Sequence, residues 1–152
     1  MESLLLVLKH AEEERDQSLA ACQAANANHL AAQAQYEQLL GYRSDYEARW
    51  QGQFSQQGQI ELVHCYHAFM LRLTQAVEHQ QATLQQASLR LDQTQAALRE
   101  REVRVASVRK LLERRRQRVR REQARREQKL NDERASRLAQ DSAFPSGMAS
   151  LY

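Results

Sequence analysis

From Val63 onward an apolar residue recurs every seven positions: Val63, Met70, Val77, Leu84, Leu91, Leu98, Val105, Leu112 and Val119. On a helix of about 3.6 residues per turn, a seven-residue repeat keeps side chains on one slowly drifting stripe, so this pattern predicts the a-series of a coiled coil. Three residues further on lie Tyr66, Leu73, Gln80, Ala87, Thr94, Arg101, Val108 and Arg115, a d-series that is apolar at first and more polar toward the C-terminus. A seam of this kind holds a helix against a neighbour but lacks the uniform leucines of a strong homodimeric zipper.

The segment before it is helical in composition from about residue 2 to residue 50, with a weaker seam. One series reads Leu8, Arg15, Cys22, His29, Tyr36, Arg43, Trp50, and its neighbour reads Leu5, Glu12, Leu19, Asn26, Gln33, Leu40. Between the two segments lies QGQFSQQGQ, residues 51–59, whose glycines Gly52 and Gly58 break helices. The expected fold is all-α: a long antiparallel two-helix coiled coil, or helical hairpin, with an overhanging basic C-terminal helix. Helix 1 spans about 2–50, the turn 51–59 and helix 2 about 60–137, forming one domain over 1–137. Residues 138–152 lose the heptad, contain Pro145 and Gly147, and read as a disordered tail. A turn centred near residue 55 places residue i opposite residue 110 minus i, so helix 2 outruns helix 1 by about 29 residues, roughly 44 Å.

Composition narrows the class. Only 6% of the 152 residues are aromatic, Gly and Pro number four and one, and the mean hydropathy is −0.76. That leaves little to bury in a compact core, and the bias toward Ala, Glu, Gln, Leu and Arg is that of a long helix. The apolar run Leu4–Leu8 is shorter than a signal-peptide core (about 7–15 residues) or a membrane span (about 20), which predicts a soluble cytoplasmic protein. Cys22 and Cys65 read as small buried or half-buried residues without a catalytic role. The expected register separates them by about 35 Å along the axis, too far for a disulfide.

Charge is unevenly divided. Residues 1–108 hold 9 Lys/Arg and 13 Asp/Glu, whereas 109–137 hold 13 and 5. The basic stretch, KLLERRRQRVRREQARREQKLNDERA, has three readings: a nucleic-acid arm, a solvated helix face, or a protein-docking handle. Basic-zipper proteins carry the basic region N-terminal to the zipper, whereas here it is C-terminal and five acids, Glu113, Glu122, Glu127, Asp132 and Glu133, are interleaved with it. No aromatic residue alternates with the arginines to stack on bases, so no nucleic-acid partner is expected. Glu122 with Arg126 and Glu133 with Arg137 have the i,i+4 spacing of a self-supporting exposed helix. Arg114, Arg118, Arg121 and Arg125 share one face of that helix, at i, i+4, i+7 and i+11.

Catalytic and metal chemistry find little footing. In HCYH, His64 and His67 lie one turn apart with no second ligand pair at zinc spacing, and they read as residues on a half-buried seam edge. A phosphate-binding glycine loop, a nucleophile elbow and a paired carboxylate constellation are all absent from the sequence. The expectation is a protein that is not an enzyme and takes no cofactor or metal.

A second pattern points to docking. Gln35, Leu39, Tyr42 and Tyr46 form one stripe at i, i+4, i+7 and i+11, and Phe69, Leu73, Ala76 and Gln80 repeat that spacing on helix 2. In the hairpin register the two stripes lie side by side. Two helices cannot enclose three aromatic rings from all sides, so part of this surface is expected to be exposed, as docking patches commonly are.

LLLVLKHAEEERDQSLAA, YRSDYEARW, YHAFMLRLTQAVEHQ, KLLERR and RREQKLNDERASR, in that order around a glycine-containing break, resemble the flagellar export chaperone family FliJ. The resemblance extends to about Arg137. It implies a component of the bacterial flagellar type III export apparatus, folded like the stalk subunit of rotary ATP synthases. It further implies association with the export ATPase FliI and promotion of its ring assembly, contact with the export gate protein FlhA, and handling of export chaperones. The expected location is the cytoplasm, at the cytoplasmic face of the inner-membrane export apparatus, reached through partners only. By resemblance, the gate contact falls on Gln35, Leu39, Tyr42, Tyr46, Phe69, Leu73, Ala76 and Gln80. Insertion of the helical ends into the ATPase pore assigns that contact to Leu5, Leu8, Arg114, Arg118, Arg121 and Arg125. The alternatives are the stalk protein of a virulence type III injectisome and a basic-helix nucleic-acid-binding protein.

Overall fold

A computed structural model of the chain describes residues 2–54 and 60–143. They form α1 (Glu2–Arg49), a π-helical segment (Trp50–Phe54) and α2 (Ile60–Ala143), with no strand among the described residues. The reason is local. Neither helix contains proline, α2 contains no glycine, and α1 contains only Gly41, so nothing interrupts the backbone ladder. The fold is all-α, two long helices packed against each other as a hairpin. α2 continues past Arg137 to Ala143, beyond the expected helix end. Of the expected turn and tail, residues 55–59 and 144–152 lie outside the described residues.

Contacts divide the chain into two units, a hairpin unit (Lys9–Val105) and a terminal unit (Met1–Leu8 with Ala106–Tyr152). In the hairpin unit α1 and α2 run antiparallel. Arg101 pairs with Glu14, Gln80 with Gln35, Phe69 with Tyr46 and Tyr66 with Trp50. These pairs define a register in which residue i faces approximately residue 115 minus i. The expected register was about five residues short. Gly52 does not start the reversal: it sits inside the π-helical segment, which carries the first arm on to Phe54.

Burial follows the a/d pattern on α2. Leu73, Val77, Thr94 and Val105 are buried in the hairpin unit, and Val63, Tyr66, Met70, Gln80, Leu84, Ala87, Leu91, Leu98 and Arg101 are half-buried. On α1 the first expected series holds, since Leu8, Arg15, Cys22, His29, Tyr36, Arg43 and Trp50 are all half-buried. Its expected neighbour is corrected: Leu5, Leu19, Asn26 and Gln33 are exposed. The true companion runs through Leu4, Ala11, Ser18, Ala25, Ala32 and Leu39, and Ala11, Ala25 and Ala32 are the buried residues of α1. Small side chains there let the larger residues of α2 approach the α1 backbone. Gln80 illustrates this: its Nε2 donates to the Ala32 carbonyl at 3.1 Å and to Gln35 Oε1 at 3.2 Å.

Charge pins the register nearer the other end of this unit. Glu14 accepts a short contact from Arg101, lies 3.6 Å from Arg104, and meets His10 Nε2 at 3.0 Å one turn back on α1. Thr94, the buried polar residue of the seam, donates its hydroxyl to the Leu91 carbonyl at 2.9 Å and so leaves no unpaired polar atom there.

Candidate functional site

Two surfaces stand out, one in each unit. In the hairpin unit, Tyr42, Tyr46 and Phe69 are 48%, 41% and 42% exposed. The Tyr46 and Phe69 rings lie 4.7 Å apart between centroids at a tilt of 52°, and the Arg49 guanidinium stands 5.9 Å over the Tyr46 ring. Tyr42 accepts from Gln38 Nε2 at 2.9 Å, which orients the phenol from the same helix. Of the eight residues assigned to this surface, the structure joins Gln35 to Gln80 and Tyr46 to Phe69. The register sets Ala76, exposed, opposite half-buried Leu39. Leu73, only 9% exposed, belongs to the seam and backs the patch from within.

The patch continues where the sequence reading did not look. Trp50 stacks on Tyr66 with centroids 4.0 Å apart and planes within 10°, and Tyr66 makes an edge contact with His67. Trp50 and Tyr66, with Tyr46, Arg49, Leu62, Cys65 and Phe69, line a groove of about 370 Å³. Trp50 closes the first α1 series and Tyr66 belongs to the α2 d-series, so a register five residues longer would have brought them together. Two further expectations are corrected here. His64 and His67 are exposed rather than half-buried on the seam edge, because they flank the inward-turned Tyr66. Cys65 is likewise exposed, on the groove wall, whereas Cys22 is half-buried, and both thiols are free.

The terminal unit carries the other surface. Val108 and Leu112 are buried, but every residue from Glu113 to Ala143 is exposed, because α1 supplies this unit only with its first residues, up to Leu8. Arg114, Arg118, Arg121 and Arg125, with Gln117 and Glu122, border about 430 Å³ of open space between the side chains of one helix. Four guanidiniums around one carboxylate make a cationic face suited to carboxylates or other anions. Leu5 is exposed and Leu8 half-buried in the same unit. Among the described residues no three His, Cys, Asp or Glu side chains cluster as metal ligands, and no helix is long and apolar enough to cross a membrane.

An open aromatic patch and a bare cationic helix can bind other macromolecules by area and charge. Neither assembles a nucleophile, a base and an enclosed pocket. The family model described as the Flagellar FliJ protein matches residues 1–143, a span that includes both surfaces. No curated protein and no solved structure matches the chain. On that match the chain belongs to the flagellar FliJ family and is a stalk-like protein of flagellar type III export.

Proposed function

We propose that this chain binds the flagellar export ATPase, promotes assembly of its ring, links the ring to the export gate and escorts export chaperones. It acts in the cytoplasm, at the cytoplasmic face of the inner-membrane export apparatus. The ATPase contact uses the cationic face at Arg114, Arg118, Arg121 and Arg125, together with Leu5 and Leu8. The gate contact uses Gln35, Leu39, Tyr42, Tyr46, Phe69, Ala76 and Gln80, with Leu73 holding the patch in shape.

The observation that carries this reading is the family match over residues 1–143. Exposure supports the division of labour, because the cationic stretch and the aromatic patch fall in different units. A helix with solvent on every side from Glu113 onward gains most of its value from something that surrounds it. Oppositely charged walls would supply both attraction and a preferred orientation. The test is reconstitution with the purified ATPase and the cytoplasmic part of the gate protein from the same cell. The chain should raise the fraction of ATPase in ring-sized species and should bind the gate in a manner sensitive to Phe69→Ala. No effect on ring assembly, and gate binding indifferent to Phe69, would refute the proposal.

A further inference from the structure

We infer that the gate-docking surface extends into the groove between the π-helical segment and the start of α2, and that this groove receives an apolar side chain of the partner protein flanked by a carboxylate. The inference rests on the gate reading above and adds to it a site, a set of residues and the chemistry of the occupant.

Three observations converge on it. First, the groove is continuous with the exposed patch, since Tyr46 and Phe69 belong to both. A protein covering those two rings therefore covers the groove mouth as well. Second, the nearly parallel Trp50–Tyr66 stack ties the π-helical segment to α2, so a bound side chain meets a preformed surface. π-helical turns recur at functional sites, and Trp, Tyr and Arg are the residue types over-represented among binding hot spots. Third, among the described residues the lining is apolar apart from one cation, with no acidic residue in it. Arg49 contacts the Tyr46 ring and forms no ion pair with a carboxylate among the described residues, so its charge is available at the rim.

The volume selects the kind of occupant. About 370 Å³ is at the low end of the range for small-ligand pockets, enough for one or two side chains and too little for a helix. An aliphatic or aromatic anchor fits against Trp50, Leu62 and Tyr66, and a neighbouring carboxylate fits the Arg49 guanidinium.

Cys65 on the groove wall and half-buried Cys22 provide an internal comparison. The full chain, alone and saturated with the purified cytoplasmic part of the gate protein, is alkylated with N-ethylmaleimide and the two sites are followed by mass spectrometry. Saturation should slow alkylation of Cys65 about tenfold or more and leave Cys22 unchanged. Leu62→Asp and Arg49→Glu should each weaken gate binding about tenfold or more, a full decade in Kd. If the complex forms and is abolished by Phe69→Ala, but Cys65 reacts at its free rate, the groove assignment fails while the gate reading stands. If the unmodified chain does not bind the gate protein at all, both fail. Protection of Cys65 that rises with the concentration of the chain alone would instead make the groove a self-contact and overturn the assignment.

Discussion

Replacing Ala25 by leucine tests the alanine seam directly. Ala25 is 5% exposed and sits on the α1 line that also contains buried Ala11 and Ala32. Three added carbons at such a position have nowhere to go unless the helices separate. The cost of overpacking a close interface is about 1–3 kcal/mol. For a chain of this length each 1 kcal/mol lowers Tm by about 2–4 °C, so a cost of about 2 kcal/mol lowers it by about 4–8 °C. Helix propensity does not confound the result, because Ala and Leu are both strong helix formers. Ala21→Leu, at an exposed position on the same helix, is the matched control and should melt within about 0.5 kcal/mol of the parent. Thermal melts followed by circular dichroism give both values. A variant at Ala25 that melts with the control, or above the parent, would show that the seam does not depend on small residues.

Leu73→Ala should destabilise the hairpin by about 2–5 kcal/mol, since that side chain is buried; Phe69→Ala should melt almost normally yet lose about 2 kcal/mol or more of gate affinity, and paired melting and titration separate the two. Glu14→Gln removes the acceptor shared by His10, Arg101 and Arg104; partly exposed ion pairs are worth about 1 kcal/mol or less, and the difference from the parent should shrink in denaturant melts at high salt. Gly41→Ala should stabilise by about 0.5–1 kcal/mol in the same assay, because Gly41 lies inside α1 and an added Cβ meets nothing within 4 Å.

The second helix was legible in the sequence because its seam is written in large apolar residues at a strict interval, and Val77, Val105 and Leu112 are buried where that interval puts them. The first helix was half legible. Its buried line is marked by alanine, which occurs on every face of α1, whereas the large side chains point to the line of Leu5, Leu19 and Leu40 instead. The register error has a related cause: glycine marked Gly52 as a breaker, but a π-helical segment accommodates it, and helix propensity cannot distinguish a wide turn from the end of a helix. The exposed Tyr42, Tyr46 and Phe69 followed from counting rings against what two helices can enclose. The Trp50–Tyr66 wall did not, because it depends on the register, and an offset of five residues puts partners on different turns.

The most direct measurement is the affinity of the purified export ATPase for the full chain and for the variant carrying Arg114→Glu, Arg118→Glu, Arg121→Glu and Arg125→Glu, with helicity monitored in parallel. These four side chains are exposed on one helix face, so reversing them leaves the buried seam intact. A docking handle predicts that the parent binds, that its binding weakens with added salt, and that the variant remains helical but loses binding by at least about a hundredfold, about 2.7 kcal/mol. Equal binding by parent and variant would show that the cationic stretch is a solvated face and would contradict its role as the contact with the ATPase.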